Sequence, residues 1–324
     1  MNVRITARYV CLIILPVLLS LTVSELLLRE LFGLGNPVLY DNSPIYGFRP
    51  LGDRTYRRYW GATLRFNNLG LRSDHDWDAT ANNKILFLGD SVTYGGSSVD
   101  NRDLFSTIAV DIVNRGSPKS YIPGDAGVNA WGVENVHALV VENGFAPAAV
   151  YVITLPEADF YRGLTRLQGL PYFNHTPGLA LLELWYYFCY LQNNRRYVEW
   201  QLMAQPQQVR YVVDKAVKAL KSTDAFIKAK GWTSLMFISP SKFEVLGLAA
   251  RTPMIEEELR INGVRAVWIL DELRQYRLSE SDRRALFIDD VHLTKAGHKL
   301  WGRIIGAALR RSLSAEPSSP LIGG

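Results

Sequence analysis

The chain has 324 residues, 48% hydrophobic and 21% charged, with 36 basic against 31 acidic side chains and a formal charge of +5. These are ordinary values for a globular protein with a sizeable core. A disulfide framework is excluded, because one of the two cysteines, Cys11, lies in an apolar run and leaves Cys189 alone. The positive balance is mild, and no basic stripe carries interleaved stacking aromatics, so nucleic acid is not expected as a partner.

At the N-terminus, Arg4 and Arg8 precede an apolar run from Tyr9 to Val23, which resumes after Ser24 and Glu25 with Leu26, Leu27 and Leu28. As a helix, residues 9–28 span about 30 Å, the thickness of a bilayer's hydrocarbon core. Glu25 falls near the distal end, where it reaches the interface. The leading arginines predict a cytoplasmic N-terminus and an exported body. No small-x-small cleavage site follows the run, so residues 1–32 are read as an uncleaved membrane anchor. A cleaved signal peptide is the competing account.

Residues 33–82 are rich in Gly, Pro, Asn and aromatics and are expected to form an irregular linker folded back over the domain. Within it, Asp53 to Trp60 has the chemistry to meet sugar or lipid headgroups, although a packed linker is the plainer reading. Asn68 and Gly70 suit the turn of a hairpin. From Lys84 onward, strands are expected at 84–88, 119–123, 148–154, 233–239 and 266–270. Helices are expected at 103–114, 133–143, 208–230, 254–261 and 294–312. This alternation predicts a parallel sheet with helices on both faces. Residues 160–207 are too long for a short connection; Thr176 to Leu191 reads as an insertion helix started by Pro177. It suits a substrate wall, or a membrane-surface helix, since Tyr and Trp favour that interface. The tail, residues 314–324, is expected to be disordered.

Two motifs carry the chemistry. Lys84-Ile85-Leu86-Phe87-Leu88 runs into Gly89-Asp90-Ser91, and Asp289-Asp290-Val291-His292 comes some 200 residues later. Gly-Asp-Ser alone is common turn chemistry, and Asp-x-x-His alone can be a helix cap beside a surface histidine. Together they supply a hydroxyl, a base and an acid that orients it. Both also fall where an open α/β sheet gathers its active site, at the carboxyl ends of strands. Asp90 suits the turn itself. His75, His137, His175 and His298 lack ligand spacing, so no metal or cofactor is expected.

With these blocks, residues 83–313 resemble the SGNH/GDSL hydrolase family of serine esterases and acyltransferases. The resemblance implies a flavodoxin-like three-layer α/β/α sandwich preceded here by the N-terminal transmembrane helix. It implies Ser91 as nucleophile, His292 as base and Asp289 as orienting acid, with Asp290 the rival acid. The backbone amides of Ser91 and Gly127 would form the oxyanion hole. The family's Gly-x-Asn-Asp block is altered: Asp159 matches its final aspartate, which puts Ala158 in place of the asparagine. Asn129 is the candidate third donor. Leu64 to Arg72 resembles the Asn-x-x-Gly-x-Arg element of anchored members. The implied substrate is an acylated carbohydrate or a lipid ester, met on the periplasmic or outer side of the cytoplasmic membrane. Oligomeric state is left open. Sequencing the N-terminus of the exported protein should find residues upstream of Val23 retained; a mature chain starting beyond Val23 contradicts the anchor.

Overall fold

Five apolar runs separated by helical stretches close into one parallel sheet. The computed structural model describes the backbone of residues 3–167, 173–201 and 206–315. Most of the expected tail, 314–324, and parts of the 160–207 insertion lie outside the described residues. The N-terminal run is a single helix, α1 (Val3–Phe32). Its Leu12–Phe32 segment is long and apolar enough to cross a membrane, a test that an N-terminal signal sequence also passes.

Residues 33–82 are more regular than expected. They contain two antiparallel hairpins, β1 (Tyr40–Ser43) with β2 (Gly47–Pro50), and β3 (Arg54–Arg58) with β4 (Ala62–Phe66). Alternation explains the second: Tyr56, Arg58, Ala62, Leu64 and Phe66 point inward, their neighbours mostly outward. Its turn is not at Asn68 and Gly70. The chain reverses at Tyr59–Gly61, where Trp60 (φ 58°) and Gly61 (φ 81°) adopt left-handed conformations. Asn67, Asn68 and Gly70 belong instead to a tight loop in which Asn67 Oδ1 accepts from the N–H groups of Leu69 and Leu71, both at 3.0 Å.

The main domain then runs β5 (Lys84–Gly89), α2 (Ser91–Tyr94), α3 (Phe105–Asn114), β6 (Ile122–Asp125), α4 (Val133–His137) and β7 (Val150–Pro156). There follow α5 (Ala180–Gln201), α6 (Pro206–Ala229), β8 (Thr233–Ser239), α7 (Lys242–Val245), α8 (Pro253–Ile261) and β9 (Val267–Trp268). The chain ends with α9 (Ile269–Leu273), α10 (Glu280–Ala285) and α11 (Lys295–Ala315). The sheet order is β6-β5-β7-β8-β9, all parallel. Counted within the sheet this is 2-1-3-4-5, the doubly wound flavodoxin-like order, with its switch point beside β5. Leu86 and Leu88 face a core shared with α4, α6 and α8; Ile85 and Phe87 face one shared with α3, α9 and α11. The three-layer sandwich is therefore the observed fold.

Two strands differ from expectation at the sheet's edges. The strand expected at 119–123 is Ile122–Asp125, because Gly124 lets the sheet edge meet the folded-back segment. A Cβ on Gly124 would stand 2.3 Å from the Trp77 ring. Arg72 also exchanges backbone hydrogen bonds with Asp125, at 2.8 and 3.2 Å, so the segment covers this edge. At the opposite edge only Val267 and Trp268 pair, since the chain turns into α9 at Ile269.

The insertion helix α5 is fastened by a buried charge pair. Arg58 Nη2 lies 2.6 Å from Glu183 Oε1, with side chains 1% and 0% exposed. Glu183 also accepts from Gly35 N at 2.6 Å, and Arg58 donates to the carbonyls of Gly33 and Asn36. Removing one partner strands a charge in the interior, which costs about 3–5 kcal/mol. Arg58→Met should lower unfolding stability by that order in a denaturant titration. A change within experimental error would show that the pair is not holding the helix.

Candidate active site

Ser91 opens α2, immediately after the buried strand β5. The turn that presents it is closely packed. A Cβ on Gly89 would stand 2.2 Å from both Thr154 O and Thr93 Oγ1, so only glycine fits at the strand end. Asp90 caps α2, its Oδ1 accepting from Val92 N at 2.9 Å. The turn of helix ends at Gly95, φ 80°. No acceptor among the described residues faces the Ser91 N–H.

His292 reaches this turn from the other end of the chain. Its Nε2 lies 2.7 Å from Ser91 Oγ, and its Nδ1 lies 2.7 Å from Asp289 Oδ2. Asp289 Oδ1 in turn accepts from Val291 N (3.0 Å) and His292 N (2.9 Å). Partial burial pushes the Asp289 carboxyl up, but those N–H groups and the imidazole outweigh it and hold it below its ordinary value. The loop is braced by backbone bonds from Ile288 N to His292 O (2.8 Å) and from Thr294 N to Leu286 O (2.9 Å). Thr294 Oγ1 then caps α11 by accepting from Gly297 N at 3.2 Å. With Asp289 holding Nδ1–H, Nε2 is the nitrogen free to accept the Ser91 proton. The rival acid, Asp290, is engaged through its carbonyl by Lys242 N at 2.8 Å.

The second expected oxyanion donor is occupied. Gly127 N–H donates to Asp125 Oδ1 at 2.9 Å, so it is not free to meet a substrate oxygen as it stands. The glycine is needed for packing: a Cβ there would stand 2.2 Å from Tyr94 N, in the backbone of α2. Asn129 lines a small cavity with Tyr40, Arg58, Tyr94 and Tyr187.

Behind Ser91, Asp90 and Asp159 meet a cation that the sequence motifs do not announce. Arg162 Nη1 is 2.7 Å from Asp159 Oδ1 and 3.6 Å from Asp90 Oδ2, and donates to Trp131 O. Burial raises both carboxyl pKa values, Asp159 most strongly because Asp90 adds its charge. Asp159 Oδ2 meets no donor among the described residues. Arg72 is the other missed residue. Fully buried, it donates to Tyr94 O (2.5 Å), Gly96 O (2.9 Å), Val99 O (2.6 Å) and Asn101 Oδ1 (3.1 Å), clamping the loop that follows α2. Its signal was the Asn-x-x-Gly-x-Arg spacing.

The remaining histidines lie elsewhere. His298 is buried against the Phe105 ring, and its Nδ1 accepts from Phe105 N at 3.2 Å. Burial pushes its pKa down to about 3, so it stays neutral and serves packing. His137 pairs with Thr223, and His175 with its neighbour Asn174. Among the described residues no group of three or more His, Cys, Asp or Glu is placed to hold a metal.

No family model matches the chain, and no curated protein does. Solved structures similar to it include a lipolytic protein of the G-D-S-L family from Veillonella parvula, at 12% identity and TM-score 0.38, covering 72% of this chain and 98% of that one. An acetyl xylan esterase shares 14% identity at TM-score 0.43, over 70% of this chain and 99% of its own. A catalytic mutant of an acetylxylan esterase from Geobacillus stearothermophilus shares 13% at TM-score 0.40, over 73% and 96%. At these scores the class of the fold rests on the chain's own strand order.

The buried carboxyl of Asp125 makes stability depend on pH. Burial raises its pKa from 3.8 to about 7, against the opposing pull of Gly127 N–H, Ser106 and Arg72. The folded state therefore holds this proton more tightly than the unfolded chain. The associated stability is complete below pH 3.8 and is lost as pH rises through 7, by roughly 4 kcal/mol. Between pH 4 and 8 the wild type should lose stability relative to Asp125→Asn, whose amide does not ionise. Parallel curves would refute the shift.

Proposed function

We propose that this chain is a serine hydrolase of the SGNH/GDSL type, with Ser91 as nucleophile, His292 as general base and Asp289 as the acid that orients it. One observation carries the proposal: the 2.7 Å contact between His292 Nε2 and Ser91 Oγ, backed by Asp289 at 2.7 Å on the other ring nitrogen.

The geometry supports a conventional acyl transfer. As Ser91 Oγ attacks an ester carbonyl, its proton passes to His292 Nε2, and Asp289 stabilises the imidazolium that results. The tetrahedral oxyanion forms beside the free Ser91 N–H. Gly127 contributes only by exchanging Asp125 for substrate, and Asn129 lies on the loop just beyond it. His292 then returns the proton to the leaving alcohol, leaving an acyl-enzyme. Water ends the cycle in hydrolysis; a sugar hydroxyl ends it in transfer.

Substrate and location follow from the layout. A helix able to span the membrane precedes the domain, and Arg4 and Arg8 before it favour an exported catalytic face. That arrangement resembles anchored family members acting in envelope polysaccharide modification. The favoured substrate is therefore an O-acetyl ester of an envelope or extracellular polysaccharide, with a lipid acyl ester the alternative. A catalytically weak glycan-binding module is the reading from another class. It draws support from Ala158 and from the occupied Gly127 amide, since one lost oxyanion donor costs about 2.7–4 kcal/mol.

Purified protein should release acetate from acetylated glycan and take up a fluorophosphonate probe, both abolished by Ser91→Ala. Asp289→Asn should lower kcat about 10⁴-fold through loss of the correct tautomer. Probe labelling that persists in Ser91→Ala refutes the nucleophile; glycan binding with no labelling of the wild type favours the module.

A further inference from the structure

A surface helix of a soluble domain turns its apolar stripe toward the core. α5 does the reverse. Glu183 faces the domain in its ion pair with Arg58, and Tyr187 follows it at i+4 beside the same guanidinium. Tyr190, at i+7, lies within the field of Arg162, the cation next to the Ser91 turn. The outward face carries Leu184, Trp185, Phe188 and Leu191, each 46–59% exposed. Their spacing of i, i+1, i+4 and i+7 makes one continuous apolar stripe, and the Trp185 and Phe188 rings stack at 5.6 Å.

The stripe starts where the apolar N-terminal helix meets the domain. Glu25 of α1 accepts from Ala180 N at 2.8 Å and Leu181 N at 3.0 Å, and so caps α5. Arg29 ties the same carboxylate at 2.7 Å to the carbonyl of Gly178 at 2.5 Å. From residue 9 to Glu25, α1 rises about 24 Å, most of the roughly 30 Å of hydrocarbon that a spanning helix crosses. The cap thus sets the first turn of α5 in the distal part of the span, about 6 Å short of its end on that reckoning. Trp60, 72% exposed with its ring 5.1 Å from Phe32, stands at the same end of α1. Tryptophan and tyrosine favour that depth.

We infer that α5 lies in the outer surface of the lipid bilayer that α1 crosses. Leu184, Trp185, Phe188 and Leu191 enter the boundary between headgroups and acyl chains, while Glu183, Tyr187 and Tyr190 stay on the domain. A lipid surface fits better than a second copy of the chain, because the helix that carries the stripe starts at the cap supplied by Glu25 of the apolar helix α1. The inference rests on α1 spanning the membrane. Its consequence is that the helix fastened to β3–β4 through Arg58 and Glu183 also touches the bilayer.

The test uses the full chain in phosphatidylethanolamine–phosphatidylglycerol nanodiscs, with Cys11→Ser and Cys189→Ser as background. Nitroxides are attached singly through Phe188→Cys, Leu19→Cys and, as a solvent-exposed reference on α6, Lys221→Cys. Collision rates with oxygen, which partitions into lipid, are compared with those of a water-soluble nickel chelate. The Phe188 label should favour oxygen several-fold more than the Lys221 label does. A Phe188 label that behaves like Lys221, or that is shielded from both reagents as in a protein–protein contact, overturns the inference. The Leu19 label reports separately on α1: preference for nickel there sinks the spanning reading, while the Phe188 result still decides whether α5 lies in lipid.

Discussion

A 2.7 Å contact between Ser91 and His292, side chains 201 residues apart in the chain, is what the organisation of this molecule serves. A hydroxyl is a poor nucleophile until a base stands within hydrogen-bond reach of its proton. That distance survives only if both backbones are fixed to a fraction of an ångström. The parallel sheet supplies one fixed point, since β5 is buried along its whole length and ends at the turn carrying Ser91. The packing of α11 on α3 supplies the other, through buried Trp301, Ile304 and Ile305. The loop carrying His292 is held just ahead of α11.

Around that contact the protein spends buried charge on position. Arg72 makes four hydrogen bonds to the loop after α2, three of them to backbone carbonyls. Four donors in a rigid planar fork fix a loop more tightly than a lysine's single ammonium would. Asp90, Asp159 and Arg162 form a second set in which one guanidinium stands between two buried carboxyls. It braces the cap of α2 from below. Apart from Asp90, these residues come from segments outside the two motifs, so the rigidity of the site is distributed across the fold.

The N-terminal helix and the insertion are coupled as well. Glu25 caps α5 while Arg58 and Glu183 fasten the same helix to the hairpin β3–β4. A chain entering from α1 is thereby tied to the insertion helix α5 directly. Orientation of the site relative to α1 is set by these polar contacts, not by a flexible linker.

Much of this could be read from the residues alone. Apolar runs alternating with helical periodicity give a doubly wound sheet, because short-range patterning decides which element forms. Gly89-Asp90-Ser91 and Asp289-x-x-His292 likewise name their chemistry, since turn geometry and i,i+3 spacing are local properties. The hairpins in 33–82 were hidden because their inward residues include a charged one, Arg58, whose partner Glu183 is distant in sequence. The clamp role of Arg72 and the contact of Arg162 with Asp90 were hidden for the same reason, whereas the Gly127 amide is occupied by Asp125 only two residues away. Hydrogen bonds and ion pairs between remote segments have no period to read. Sequence by itself determined the elements of the main sheet and the candidate reactive side chains; only the tertiary structure decided the hairpins and which polar groups were already spoken for, because burial and partnership are properties of the assembled fold.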